Sequence, residues 1–133
     1  MEREIRTSTV SANIKRNRLD ITLRGAISKK EAERLYTDIR FCTSDLEPGF
    51  AVITDLTEAN LGHLAAIGTF RKITKYLAEK QVGPVVRVVG QASIIFRQIA
   101  KLSSETSYKP KYTNTREEAE QLLAELAEKV AVA

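Results

Sequence analysis

A chain of 133 residues fits one domain with a single core, and its 43% hydrophobic and 29% charged residues exclude a disordered body. The net charge of +4 is modest, and no run of about 18 apolar residues offers a transmembrane helix. The charged start "MEREIRTSTV" lacks the apolar stretch of a secretory signal, and the single Cys42 has no internal disulfide partner, so a cytoplasmic location is expected.

In chain order, "NRLDITLRG" alternates Leu19, Ile21 and Leu23 with polar residues, the period of a half-buried strand. The segment before it turns at Asn17, which predicts a hairpin. Ser28 and Glu31 form a capping box, "SKKE", opening a helix whose inward stripe is Ala32, Leu35, Tyr36 and Ile39. Cys42 falls at the end of that helix, where a structural, partly buried thiol is expected. "EPG" is a turn, and "FAVIT" over residues 50 to 54 reads as a strand buried on both faces. A second helix is expected from about Asn60 to Lys80, with Ala66, Phe70, Ile73 and Leu77 inside and Arg71, Lys72, Lys75 and Glu79 outside. "VGP" ends it. "VVRVV" is the next strand, closed by Gly90, and "SIIFRQIAKLSS" a third helix. "KPKYTNT" is a short last strand, and the capping box Thr115 to Glu118 opens a last helix with Ala119, Leu122, Leu123 and Leu126 inside. Fraying is expected after Lys129.

The order β-β-α-β-α-β-α-β-α predicts an α/β domain. It would hold a mostly parallel sheet of four to five strands, with an N-terminal antiparallel hairpin strand and four helices. A single domain covers residues 1–133, with its core over about 17–126.

Charge divides along the chain. Residues 41–60 hold Asp45, Glu47, Asp55 and Glu58 with no Lys or Arg, whereas residues 71–111 hold nine basic residues against Glu79 and Glu105. Such a bipolar surface can steer an acidic partner. The sole histidine, His63, has no Cys or His at ligand spacing, so neither a metal nor another cofactor is expected. Asp55, at the expected strand end, suits hydrogen bonds from the N–H groups of the following turn better than acid–base work with Glu58. Catalysis would need Asp55, Glu58 and His63 to converge beside a nucleophile that "GHLAAIG" lacks. Glycine-rich phosphate loops are absent, and so is the aromatic interleaving of nucleic-acid binders.

Element order and local pattern together resemble the STAS domain, found in anti-sigma-factor antagonists and in the cytoplasmic tails of sulfate transporters. The resemblance runs from about Asn17 to Leu126. "NRLDITLRGAIS" is similar to the family's opening strand, "FAVITDLTEAN" to its central strand, "VVRVVGQASIIFRQIAKLS" to the strand and helix that follow, and "YTNTREEAEQLL" to its last strand and capped helix. The resemblance implies a bacterial regulator that binds a kinase-type anti-sigma factor and is switched by phosphorylation of a serine in an Asp-Ser-Ser-Gly loop. Counted without gaps from Asp55, those positions fall near His63, Leu64, Ala65 and Ala66, so Ala65 stands where the acceptor hydroxyl would be. Thr57 is the substitute acceptor to consider, because Thr69 lies a full turn further into the helix.

The reading is a non-enzymatic STAS-like protein-binding module. Its partner would be a protein with an acidic surface, met through Asp55, Thr57, Asn60, Gly62, His63, Ala65, Arg71, Lys72 and Lys75; a homodimer is a further option, and nucleic acid is disfavoured. The alternative is a small apolar ligand held by the small side chains of "NLGHLAAIG" at the start of the second long helix.

Overall fold

The computed structural model describes residues 8–60, 66–90 and 109–132, with the backbone alone for Asn60, Ile67 and 129–132. Strands β1 (Thr9–Asn13) and β2 (Arg18–Ala26) form the expected antiparallel hairpin, with Ser11 opposite Asp20. Asn17 makes the turn. Its backbone is left-handed (φ 51°), a conformation Asn tolerates better than most side chains, and its N–H donates to the Ile14 carbonyl at 3.1 Å. The Asn17 side chain also grips a distant turn: Nδ2 donates to the Glu47 carbonyl at 3.1 Å and Oδ1 accepts from the Glu47 N–H at 2.8 Å. Its own carbonyl accepts from Ala51 N at 3.1 Å. The hairpin is thus fastened to the start of the next strand.

That strand, β3, runs over Ala51–Asn60, twice the length read from "FAVIT". With β4 (Val85–Val88) and β5 (Lys111–Thr113) it completes a five-stranded sheet in the order β1-β2-β3-β4-β5, parallel except for the β1–β2 pair. Helices α1 (Lys29–Thr43) and α2 (Ile67–Glu79) bury one sheet face, where Leu19, Ile21, Leu23, Val52, Leu35, Ile39, Ile73 and Leu77 pack together. Helix α3 (Arg116–Val132) covers part of the other face, over Ile53, Val86 and Val88, with Ala119 and Leu123. The expected α/β architecture is the one present. The described residues hold three helices; the segment read as a further helix, 93–104, lies outside them. Helix α3 keeps its helical backbone to Val132, past the point where fraying was expected.

Both capping hydroxyls act as read. Ser28 Oγ accepts from Glu31 N, and Thr115 Oγ1 from Glu118 N, each at 3.1 Å. Glu31 itself turns its carboxylate to Arg34 at 3.1 Å. The second helix departs from its expected span: it starts at Ile67, not Asn60, because β3 continues to pair with β2 as far as Asn60. Its exit relies on Gln81 in a left-handed conformation (φ 61°) ahead of "VGP".

The outward face of β2 holds a second surprise. Alternation places Arg18 and Asp20 opposite Leu19 and Ile21, yet Arg18 is only 8% exposed. Helix α3 covers it. Arg18 Nη1 donates to Glu120 Oε1 at 2.7 Å, while Arg116 donates to Glu120 Oε2 at 3.1 Å and to Asp20 Oδ1 at 2.8 Å. Partial burial pushes the Glu120 carboxyl up, but the Arg18 and Arg116 hydrogen bonds outweigh it and hold the group below its ordinary 4.5. A carboxyl depressed in the fold stabilises fully above its unfolded value, and that contribution fades as pH falls through the folded value. Glu120→Gln is therefore expected to lower stability at pH 7 by about 1–2 kcal/mol, the half-exposed carboxylate limiting the loss. It should also flatten the decline in melting temperature between about pH 5 and pH 3. Thermal melts across that range check both.

Glycine matters where chains press together. A Cβ on Gly83 would run into the Gly49 carbonyl, while Gly83 N donates to Phe50 O at 2.7 Å and Gly49 N to Gln81 O at 2.8 Å. Gly68, in the first turn of α2, has open space around it. Gly83→Ala is expected to cost about 2 kcal/mol or more in urea unfolding, and Gly68→Ala to add about 0.5 kcal/mol.

Candidate docking site at the end of the central strand

The pairing of β3 with its neighbours changes at Asp55. Asp55 lies opposite Val88, the last paired residue of β4, so β3 beyond it pairs with β2 alone. On the β2 side the register steps from Thr22–Asp55 to Arg24–Glu58, two residues against three, which inserts one extra residue in β3. Such bulges bend a strand and re-aim its side chains. Leu56 is buried, and Thr57 is turned out and exposed.

Asp55 holds this bend. Its Oδ1 accepts from Thr57 N at 2.9 Å and from Thr57 Oγ1 at 2.7 Å. The hydrogen-bonding role expected for Asp55 is observed, although within a strand and not at its end. Glu58, the other carboxylate weighed for acid–base work, pairs with Arg24 Nε at 3.4 Å, so the two carboxylates serve different partners. The turn after β4 comes close from the other side. Gly90 is left-handed (φ 61°), and a Cβ there would lie 3.2 Å from Thr57 Cγ2. Thr57 therefore sits on β3 beside the turn that leaves β4, toward the C-terminal side of the parallel strands, the side on which open α/β sheets bind ligands.

A polar seam joins α1 and α2. Thr69, only 2% exposed, donates its hydroxyl to Glu33 Oε2, and Lys72 Nζ lies 3.0 Å from the same carboxylate oxygen. The Thr69 hydroxyl first, and then the Lys72 ammonium, hold the Glu33 carboxyl below its ordinary value. Lys72 also stands 5.5 Å over the Tyr36 ring, and Tyr36 meets Tyr76 edge to face at 5.9 Å. Thr43 and Tyr76 share a hydrogen bond of 2.9 Å further along.

Of the residues read as a docking set, Asp55 and Thr57 come together on the bulge. Asn60 ends β3, a strand position and not the helix start first assigned to it. Arg71 and Lys75 are exposed on α2. Lys72 is drawn into the α1–α2 seam through Glu33, a partner 39 residues away that no local pattern announced. Gly62, His63 and Ala65 lie outside the described residues. Thr69 is as deep as its place in the helix suggested. Cys42 is partly buried, its thiol 3.9 Å from the Val10 carbonyl, and burial, then Asp38 and Asp45, push its pKa up, which disfavours the reactive thiolate. Among the described residues no group of three or more His, Cys, Asp or Glu side chains is placed to hold a metal ion, and no helix is long and apolar enough to cross a membrane.

No family model and no curated protein sequence matches the chain. Among solved structures it is similar to the anti-sigma factor antagonist SpoIIAA in its unphosphorylated form. The TM-score is 0.65 at 14% identity, over 89% of this chain and 98% of that one. The fold is the STAS fold. At that identity the likeness carries the architecture: the STAS sheet order, the antiparallel first strand and the helices on both faces. What the corner around Thr57 does must be argued from its own side chains.

The seam gives a direct test of its wiring. In Thr69→Val the Glu33 carboxyl is expected to titrate higher than in the native chain, because the largest influence holding it down is gone. Carbon-detected NMR titration of the Glu33 carboxyl reads the shift.

Proposed function

We propose that this chain is a non-catalytic STAS-type regulatory module. It docks an acidic protein surface through the bulged end of β3 and the outward residues of α2. The observation that carries the reading is the STAS fold shared with an anti-sigma factor antagonist over 89% of the chain. The partner class that fits best is a kinase-type anti-sigma factor in the cytoplasm of a bacterium. In this reading Asp55 and Thr57 shape the contact, with Asn60, Gly62, His63 and Ala65 contributing the segment that follows. Arg71 and Lys75 supply the attraction to acidic residues. Lys72 acts at one remove, by keeping α2 against α1.

The same reading assigns the switch to Thr57. Its hydroxyl is exposed and lies 2.7 Å from Asp55 Oδ1. A phosphate would bring a charge of about −1.5 to −2 against that carboxylate. Repulsion would then break both hydrogen bonds that hold the bulge and change the docking surface. A divergent antagonist could in this way keep a phosphorylation switch without the usual serine at the helix start. The apolar-ligand alternative draws on residues 60–68, of which 61–65 lie outside the described residues.

Affinity purification from the native host with wild-type and Arg71→Glu/Lys75→Glu bait tests the docking face. Specific partners should be lost with the double variant while its melting temperature stays within a degree or two. Partners retained equally by both baits would sink the docking assignment. Peptide mapping of the purified native chain should find any phosphate on Thr57. Asp55→Asn should leave the fold intact, since an amide oxygen still accepts from Thr57 N.

A further inference from the structure

The two edges of the sheet differ. Edge β5 is guarded by Pro110 and by Lys109 and Lys111, residues of the kind that discourage strand pairing. Edge β1 reads Thr9-Val10-Ser11-Ala12-Asn13, with no charge, proline or glycine, in a chain that is 29% charged. Among the described residues no strand pairs with its outer side. The backbone there points outward at alternate residues. The Ser8 carbonyl accepts from Arg34 Nη2 at 3.0 Å and the Val10 carbonyl faces Cys42 Sγ at 3.9 Å, both on α1 and not on β2. By the alternation of an antiparallel ladder, Val10 and Ala12 turn their N–H and C=O groups away from β2 to the outer edge, where the Val10 C=O meets only the weak Cys42 thiol donor at 3.9 Å among the described residues.

Helix α1 overhangs that edge. Arg34, Asp38 and Phe41 follow each other at helical spacing on the flank next to β1, and Phe41 is 77% exposed. Ile14, just past the end of β1, is 65% exposed. These are the two most exposed large apolar side chains among the described residues, and both border the unguarded strand.

We propose that a second copy of this chain pairs with β1 about a two-fold axis at Ser11, joining two five-stranded sheets into one. Val10 of one copy then lies opposite Ala12 of the other, and the two Ser11 residues face each other across the axis. The charges select a second copy. Glu31, Arg34 and Asp38 form a cluster of net −1 tied to Ser8, at the start of β1. Exposed Lys15 follows the end of the same strand. Antiparallel self-pairing brings the basic end of each copy to the acidic end of the other, twice. Phe41 and Ile14 of both copies are covered in the same step. The Thr57 corner, at the far end of the inner strands, stays open, so self-association and docking can coexist.

Sedimentation equilibrium up to about 100 µM is the first reading, with a mass twice 14.8 kDa expected. Phe41→Lys, at a site too exposed to matter for folding, should weaken the dimer about tenfold or more. Ala12→Pro removes an outward N–H and should do the same, provided its circular dichroism matches the native chain. Ser11→Cys should cross-link to itself under mild oxidation, because facing residues of an antiparallel pair lie about 4.5–5.5 Å apart at Cα, within disulfide range. Thr9→Cys, offset from the axis, should not, and the native chain with Cys42 alone sets the background. A monomer throughout the range overturns the proposal. So does a dimer that Phe41→Lys leaves intact, or one in which Thr9→Cys links as readily as Ser11→Cys. If a host peptide occupied the edge instead, the pure chain would sediment as a monomer and self-pairing would be refuted.

Discussion

The structure depends on burying β3 from both sides. Val52 and Ile53 are adjacent in sequence, point to opposite faces and are both fully buried. A strand in that position cannot leave either face to water. Helices α1 and α2 therefore cover one side and α3 shares in covering the other, and the connections that place them also make the neighbouring strands parallel. β4 stops at Val88, opposite Asp55, while β3 runs on, so the turn at Gly90 comes up against Thr57 beside Asp55. The site is a consequence of the burial, not an addition to it.

The two helical layers are fixed by different chemistry. On the α1–α2 side the contact is mainly apolar, finished by a polar seam of Glu33, Thr69 and Lys72 beside the Tyr36–Tyr76 pair. The α3 side has a smaller apolar cluster, and Arg18, Asp20, Arg116 and Glu120 complete it. Removing water from Arg18 is tolerable only because Glu120 receives it in two hydrogen bonds. The pairing ties the first turns of α3 to β2, two strands beyond β4, and so sets how the helix lies across the sheet.

On the functional reading proposed above, no reacting group is required. A regulator works through the shape and charge of a surface, and the bulge at Leu56–Thr57 is a place where a small chemical change alters both. Asp55 makes that place ordered, because a single carboxylate oxygen holds both the backbone and the side chain of Thr57. The edge formed by β1 is separate from it and has the opposite character, being uncharged and bordered by apolar side chains. One surface would suit a charged partner, the other an identical copy.

Much of this protein was written in short-range pattern. The alternation of Leu19, Ile21 and Leu23, the turn at Asn17, the hydroxyl caps at Ser28 and Thr115, and the two-faced apolar run before Asp55 determined the α/β architecture. Each depends only on neighbours a few residues away. The role of Asp55 was legible for the same reason, since its partner is two residues on. Tertiary structure decided the rest. It doubled the length of β3, because pairing with β2 continues past the point where the apolar run stops. It moved the start of α2 and gave the exposed Lys72 a partner in Glu33. It buried Arg18 by bringing Glu120 to it across 102 residues of chain. Periodicity reports which side of an element faces inward; only the packed fold reports what waits there, because the partners of a charge or a strand edge come from distant parts of the chain.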